Sequence, residues 1–171
     1  LGFGVFQTPP DETRTAVEWA INYYGPTYLR FGRMATPVIF DPATYKFEFG
    51  KAMTLAEGSD VMIIATGIMV AQALEARELL KNEGISAGVI NMHTIKPIDR
   101  DAIVRAAAAT GAIVTAEEHN IIGGLGSAVA EVVCETKPVP VLRVGVEDKF
   151  GKSGKVPALL CSMQQRRRAR Q

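Results

Sequence analysis

Scarcity narrows the class of this 171-residue chain before any motif does. It has two cysteines, Cys134 and Cys161, without metal-ligand spacing or a secretory pattern, which argues against a disulfide framework and for incidental thiols in a reducing cytoplasm. It has two histidines, His93 and His119, too few and too unsupported by cysteine to propose a metal site. The net charge is only +1, so there is no basic field for nucleic acid, and the one dense basic run, Arg166-Arg167-Arg168-Ala169-Arg170, lies at the very end. No window approaches the length and apolarity of a membrane span. Leu1 is not methionine and no charged-then-apolar leader follows, so the start is expected to be internal to something longer.

Two phosphate-binding patterns are missing as well. Gly124-Leu125-Gly126 lacks the third glycine of a dinucleotide fingerprint, and no acidic residue stands where one would claim a ribose. Gly151-Lys152-Ser153-Gly154-Lys155 lacks the upstream glycine of an NTPase loop and reads as a basic surface turn.

What is present is the composition of a soluble globular protein, 47% hydrophobic and 22% charged, in a chain long enough to bury a core. Pro9-Pro10-Asp11-Glu12 opens a helix whose apolar stripe is Ala16, Val17, Ala20, Ile21 and Tyr24, closed by Gly25-Pro26. Thr27 to Gly32 alternates as a strand, and Met34 to about Tyr45 reads as a linker. A regular unit follows: strands at Gly50–Leu55, Asp60–Thr66, Ser86–Met92, Ala112–Ala116 and Val139–Val146, with helices at Met69–Asn82, Arg100–Thr110 and Ala128–Glu135. Asp99 is placed as an N-cap and Gly111 as a stop. This alternation predicts parallel βαβ crossovers and a three-layer α/β/α domain with a mostly parallel sheet.

In such a sheet the strand carboxyl ends share one edge, which gathers Gly67, His93, Lys96, Glu118, His119 and Gly123 to Ser127 on one rim. Gly123, Gly124 and Gly126 either cradle an anion at a helix start or let the helix pack closely on the sheet, and the second reading is preferred. Glu117 and Glu118 are adjacent on a strand and face opposite ways, so they do not form an acid–base pair. His119 is a candidate base or an interface histidine. Arg33 follows an alternating strand with a planar fork suited to phosphate, against the plain alternative of a surface arginine in an ion pair.

Glu117-Glu118-His119 followed by Gly123-Gly124-Leu125-Gly126, Thr94-Ile95-Lys96-Pro97-Ile98-Asp99, Gly25-Pro26-Thr27 through Arg33, and Phe150-Gly151-Lys152-Ser153-Gly154-Lys155, in this order, resemble the C-terminal part of transketolase-type thiamine-diphosphate enzymes. The resemblance implies that 1–40 is the tail of a pyrimidine-binding domain with the start of a linker and 41–160 the C-terminal α/β domain, whereas 161–171 departs from the family and is expected, from its composition, to be a disordered basic tail. It implies transfer of a two-carbon ketol unit between ketose and aldose phosphates, with Arg33 on the substrate phosphate. Glu118, His119, Gly123, Gly124 and Gly126 then become loop and interface residues. The diphosphate- and metal-binding motif and the glutamate that activates the cofactor are not in this sequence. No catalytic, cofactor-binding or metal residue is therefore assigned here, and the chain is expected to be inactive alone. Thiamine diphosphate and a divalent metal (Mg or Ca) are expected in the complete enzyme. The expected partners are the missing thiamine-diphosphate-binding domains or subunit, sugar phosphates and a second copy in a homodimer, with no nucleic acid and no membrane. Two other readings stand: part of a 1-deoxy-xylulose-5-phosphate synthase or a 2-oxo acid dehydrogenase β subunit, and a non-catalytic interaction module.

Overall fold

The computed structural model describes residues 4–8, 10–32, 37–41, 45–150 and 154. Its main body is a five-stranded sheet whose strands are β3 (Met53–Ala56), β4 (Val61–Ala65), β5 (Ala87–Asn91), β7 (Ile113–Asn120) and β8 (Val141–Val146). They lie in the order β3-β5-β4-β7-β8, parallel except for β3 at one edge. Strand β4 explains the layering. Its side chains alternate: Met62 and Ile64 enter one buried cluster with Ile103, Leu125 and Val129, whereas Ile63 and Ala65 enter another with Met69, Val70 and Ala73. Helix α2 (Met69–Asn82) therefore covers one face, and α3 (Arg100–Thr110) and α4 (Leu125–Glu135) the other. The three-layer α/β/α domain with a mostly parallel sheet is the observed fold.

The helix limits follow from local chemistry. Asp99 caps α3 by accepting from the Ala102 N–H at 3.0 Å, and its other oxygen takes the Ala52 N–H at 2.9 Å, tying the helix start to the approach to β3. Gly111 ends α3 in the left-handed region at φ 68°.

A smaller sheet lies on the amino-terminal side, with the order β2-β1-β6. Strands β1 (Gly4–Thr8) and β2 (Thr27–Phe31) are parallel and connected through α1 (Pro10–Asn22), while β6 (Thr94–Lys96) joins β1 antiparallel. Neither β1 nor β6 is anticipated by sequence pattern. Both are short, and each exists through pairing with a distant segment. Since β6 comes from the loop after β5, the small sheet is completed by the large domain. Within the stretch read as a linker, Phe40 is buried against Tyr45 and Ile39 lies on the α2-side core.

Candidate functional site at the strand-end rim

Open parallel sheets bind ligands where the strand order reverses, outside the carboxyl ends of the strands. Here the reversal falls between β4 and β7, because the chain goes from β4 through α2 to β5 on one side and returns through α3 to β7 on the other. The chain itself reaches that crevice at two points. Arg30 of β2 donates from Nη1 to the Glu118 carbonyl at 3.0 Å, and Gly32 lies beside Ile68 in the loop after β4, where a Cβ would be 3.5 Å from the Ile68 Cγ2.

At the adjoining end of β5, α1 contributes Glu12. The Glu12 carboxylate is buried and its Oε1 accepts from the Asn91 Nδ2 and the Tyr45 hydroxyl, each at 2.6 Å. Burial, then the Glu12 charge and hydrogen bond, push the Tyr45 phenol far above its ordinary value. His93 lies against Phe47 with a ring-centroid distance of 4.7 Å, and its Nδ1 is 2.9 Å from the Thr94 hydroxyl.

The stretch from Glu117 to Gly126 departs from expectation in its backbone. It does not turn after Ala116: β7 continues to Asn120, and α4 begins at Leu125. Glu117 is thus a strand residue, 1% exposed, whose Oε2 accepts from the Leu125 N–H at 2.7 Å and whose Oε1 accepts from the Gly126 N–H at 2.8 Å. Burial raises its pKa, while the two backbone hydrogen bonds, His119 and Arg143 act in the opposite sense. An internal carboxylate therefore fills the anion-seeking end of α4.

The glycines fit that arrangement. A Cβ on Gly124 would fall 2.0 Å from the Glu117 Oε2, and one on Gly126 would fall 2.7 Å from the Arg143 Cγ and 2.8 Å from the Thr115 hydroxyl. Close packing, and not a phosphate cradle, accounts for these two. Gly123 has φ 76° and open space around its Cβ position, so there the backbone angle selects glycine. Other loop groups are paired internally: the Gly123 N–H donates to the Ser127 hydroxyl, the Ile122 N–H to the Asn120 side chain, and the Arg143 guanidinium to the Ile121 carbonyl.

Beside this loop is an open cleft of about 600 Å³, bounded by Tyr28 and Arg30 of β2, Lys96, Arg100, His119, Gly123, Gly124, Ser127 and Glu131. The predicted rim residues Lys96, His119, Gly123, Gly124 and Ser127 do come together there. Gly67 and Glu118 do not line it, and His93 is buried near Phe47. His119 is exposed, with Nδ1 3.2 Å from the Asn120 carbonyl. Arg33 lies outside the described residues, as do Cys161 and the arginine tail. Sequence reasoning passed over Arg30 and Glu12. A charged residue inside an alternating strand, and an acidic residue at a helix start, both have ordinary surface explanations until a distant partner is known. The role of Glu117 is to hold the start of α4 on the sheet.

The chain belongs to the transketolase family: residues 50–164 match the family model of the transketolase C-terminal domain. It is 50% identical over 143 residues to a 6-deoxy-6-sulfo-D-fructose transketolase subunit of Clostridium sp. (strain MSTE9), covering 84% of this chain and 44% of that protein. It is 42% identical over 152 residues to a 1-deoxy-D-xylulose-5-phosphate synthase of Geobacter sulfurreducens, covering 87% and 24% respectively. Among solved structures, a split-gene transketolase described as an inactive β4 tetramer superposes with a TM-score of 0.89 at 49% identity, covering 94% of this chain and 52% of that one. The chain spans less than half the length of its curated subunit relative from Clostridium.

The family uses thiamine diphosphate with a divalent metal, and these residues do not fit that pair. The amides at the start of α4 face Glu117, Arg30 of β2 bonds the Glu118 carbonyl beside the switch point, and among the described residues no group of three His, Cys, Asp or Glu could hold a metal ion. No helix among the described residues is long and apolar enough to cross a membrane.

Proposed function

We propose that this chain is the carboxy-terminal portion of a transketolase that moves a two-carbon ketol unit from a ketose phosphate to an aldose phosphate, and that it acts only with partner domains or a subunit supplying the thiamine-diphosphate site. The observation that carries this reading is the docking of β2 on the large domain through Arg30 and the Glu118 carbonyl. A strand of the small sheet, three residues before Arg33, is thereby held at the rim of the C-terminal domain.

Arg33 is the residue assigned to substrate, as the partner of its terminal phosphate, because a guanidinium offers a paired set of donors to a tetrahedral oxyanion. Glu118, His119, Gly123, Gly124 and Gly126 are assigned to the loop and interface surface. The reading includes a homodimeric complete enzyme, a cytoplasmic setting and sugar phosphates of the pentose phosphate pathway. Its support includes the relatives that are themselves separate transketolase subunits and the inactive state given for the split-gene protein's β4 tetramer.

Kinetics of Arg33→Ala in the reconstituted enzyme test the substrate assignment. The expected result is a KM for phosphorylated ketose raised on the order of tenfold or more, with a much smaller change for the unphosphorylated sugar. Equal effects on both sugars would refute it. The identity to 1-deoxy-D-xylulose-5-phosphate synthases favours one second reading, a synthase fragment, which the same reconstituted enzyme distinguishes by the product it forms from pyruvate and glyceraldehyde phosphate.

A further inference from the structure

We propose that the open cleft between the small sheet and α4 binds a small organic anion, its carboxylate or phosphate taken by Arg30 and Lys96 and its carbon skeleton laid on Ile95, Ile98 and Val132. At about 600 Å³ the cleft has the size of a small-molecule site, and it has the mixed lining of one, an apolar floor with a few charged groups. The floor is fixed, because Val132 belongs to the core cluster shared by α3, α4 and the sheet, and Ile95 and Ile98 pack against it. The site is independent of Arg33 and of the ketol transfer proposed above.

Two cations on its small-sheet wall have no counter-charge: neither Arg30 nor Lys96 forms an ion pair among the described residues. An exposed lysine in that state is ordinary. Arg30 is different, since it is half-buried and its one hydrogen bond goes to a neutral main-chain oxygen, leaving further donors of its fork for a ligand. The strand register turns the two side chains to one face. Tyr28 and Lys96 stand opposite Val5 from its two sides, and Arg30 shares the face of Tyr28 two residues earlier. Two strand spacings put the Lys96 backbone about 10 Å from that of β2, a gap that two long side chains close on one anion. The carboxylates nearby do not serve these cations. Glu117 is turned to the α4 amides, and Glu135 is paired with Arg100 at 2.7 Å. Glu131, exposed on α4, is the remaining carboxylate of the lining and opposes an anion. His119 and the loop glycines that border the cleft stay with the interface and take no part in the binding.

Nuclear magnetic resonance titration of the chain with inorganic phosphate, phenyl phosphate and benzoate tests this site. Saturable binding of an aromatic anion is expected, with phenyl phosphate about tenfold tighter than inorganic phosphate because its ring covers the apolar floor. The tighter of phenyl phosphate and benzoate names the anion the site prefers. Lys96→Met and Arg30→Met keep the apolar stems and are each expected to weaken binding on the order of tenfold. Glu131→Gln removes the opposing charge and is expected to tighten binding about threefold, a gain that general damage to the fold does not produce. Lys81→Met, the same loss of charge in the last turn of α2, is expected to change nothing. The proposal is overturned if neither aromatic anion saturates, if K96M and K81M act alike, or if E131Q does not tighten binding. Should R30M fail to fold, K96M and E131Q decide.

Discussion

At neutral pH His93 is uncharged, because burial between Phe47 and Thr94 lowers its pKa from 6.5 to about 4, and the nearby Asp99 carboxylate only partly opposes that. The unfolded chain takes up this proton at a higher pH than the folded one. His93 therefore favours the fold fully above about pH 6.5, and the contribution is lost as pH falls toward 4, up to roughly 3 kcal/mol. Glu117 has the opposite sign, since a raised carboxyl pKa favours the fold at low pH and disfavours it as pH rises through the folded value. A substitution at His93 separates the two. Urea unfolding at pH 7 and pH 5 is expected to show a smaller loss of stability for His93→Gln than for the parent, by about 2 kcal/mol, and identical losses would show that His93 is not titrating in the fold.

At the scale of elements, the start of α4 combines a buried strand carboxylate with glycines that let the helix come down on it. Gly124→Ala would drive a methyl group into the Glu117 carboxylate, forcing apart two buried hydrogen bonds, and is expected to cost about 3 kcal/mol. Gly123→Ala meets only open space and the strain of a left-handed backbone, for about 1 kcal/mol. Thermal or urea unfolding of the two variants checks the ranking; equal costs would mean that the methyl at position 124 is accommodated without displacing Glu117. The glycine run, the Asp99 cap and the span of α2 are legible in the sequence because each depends on neighbours a few residues away. The continuation of β7 through Glu117 to Asn120 is not, since polar residues there look like a turn until the partner of Glu117, eight and nine residues on, is known. For the same reason β1 and β6 escape notice: Val5 opposite Lys96 is a pairing across 91 positions that no local pattern announces.

On the scale of the whole molecule, the rim that similar sheets offer to ligands is divided between two intramolecular contacts. Helix α1 places Glu12 on Asn91 and Tyr45, and β2 places Arg30 on Glu118. The parallel sheet was readable from alternating strands and helices, and the family from its loops, but the closing of the rim depends on side chains brought together from opposite ends of the chain. With the α4 amides satisfied by Glu117, the proposed reading assigns the cofactor of this family to the partner domains. Titration calorimetry with thiamine diphosphate and Mg²⁺ is the most direct test of that account. It predicts no binding heat with this chain alone and saturable binding once the partner carrying the missing domains is added, whereas saturable binding by the chain alone would contradict it.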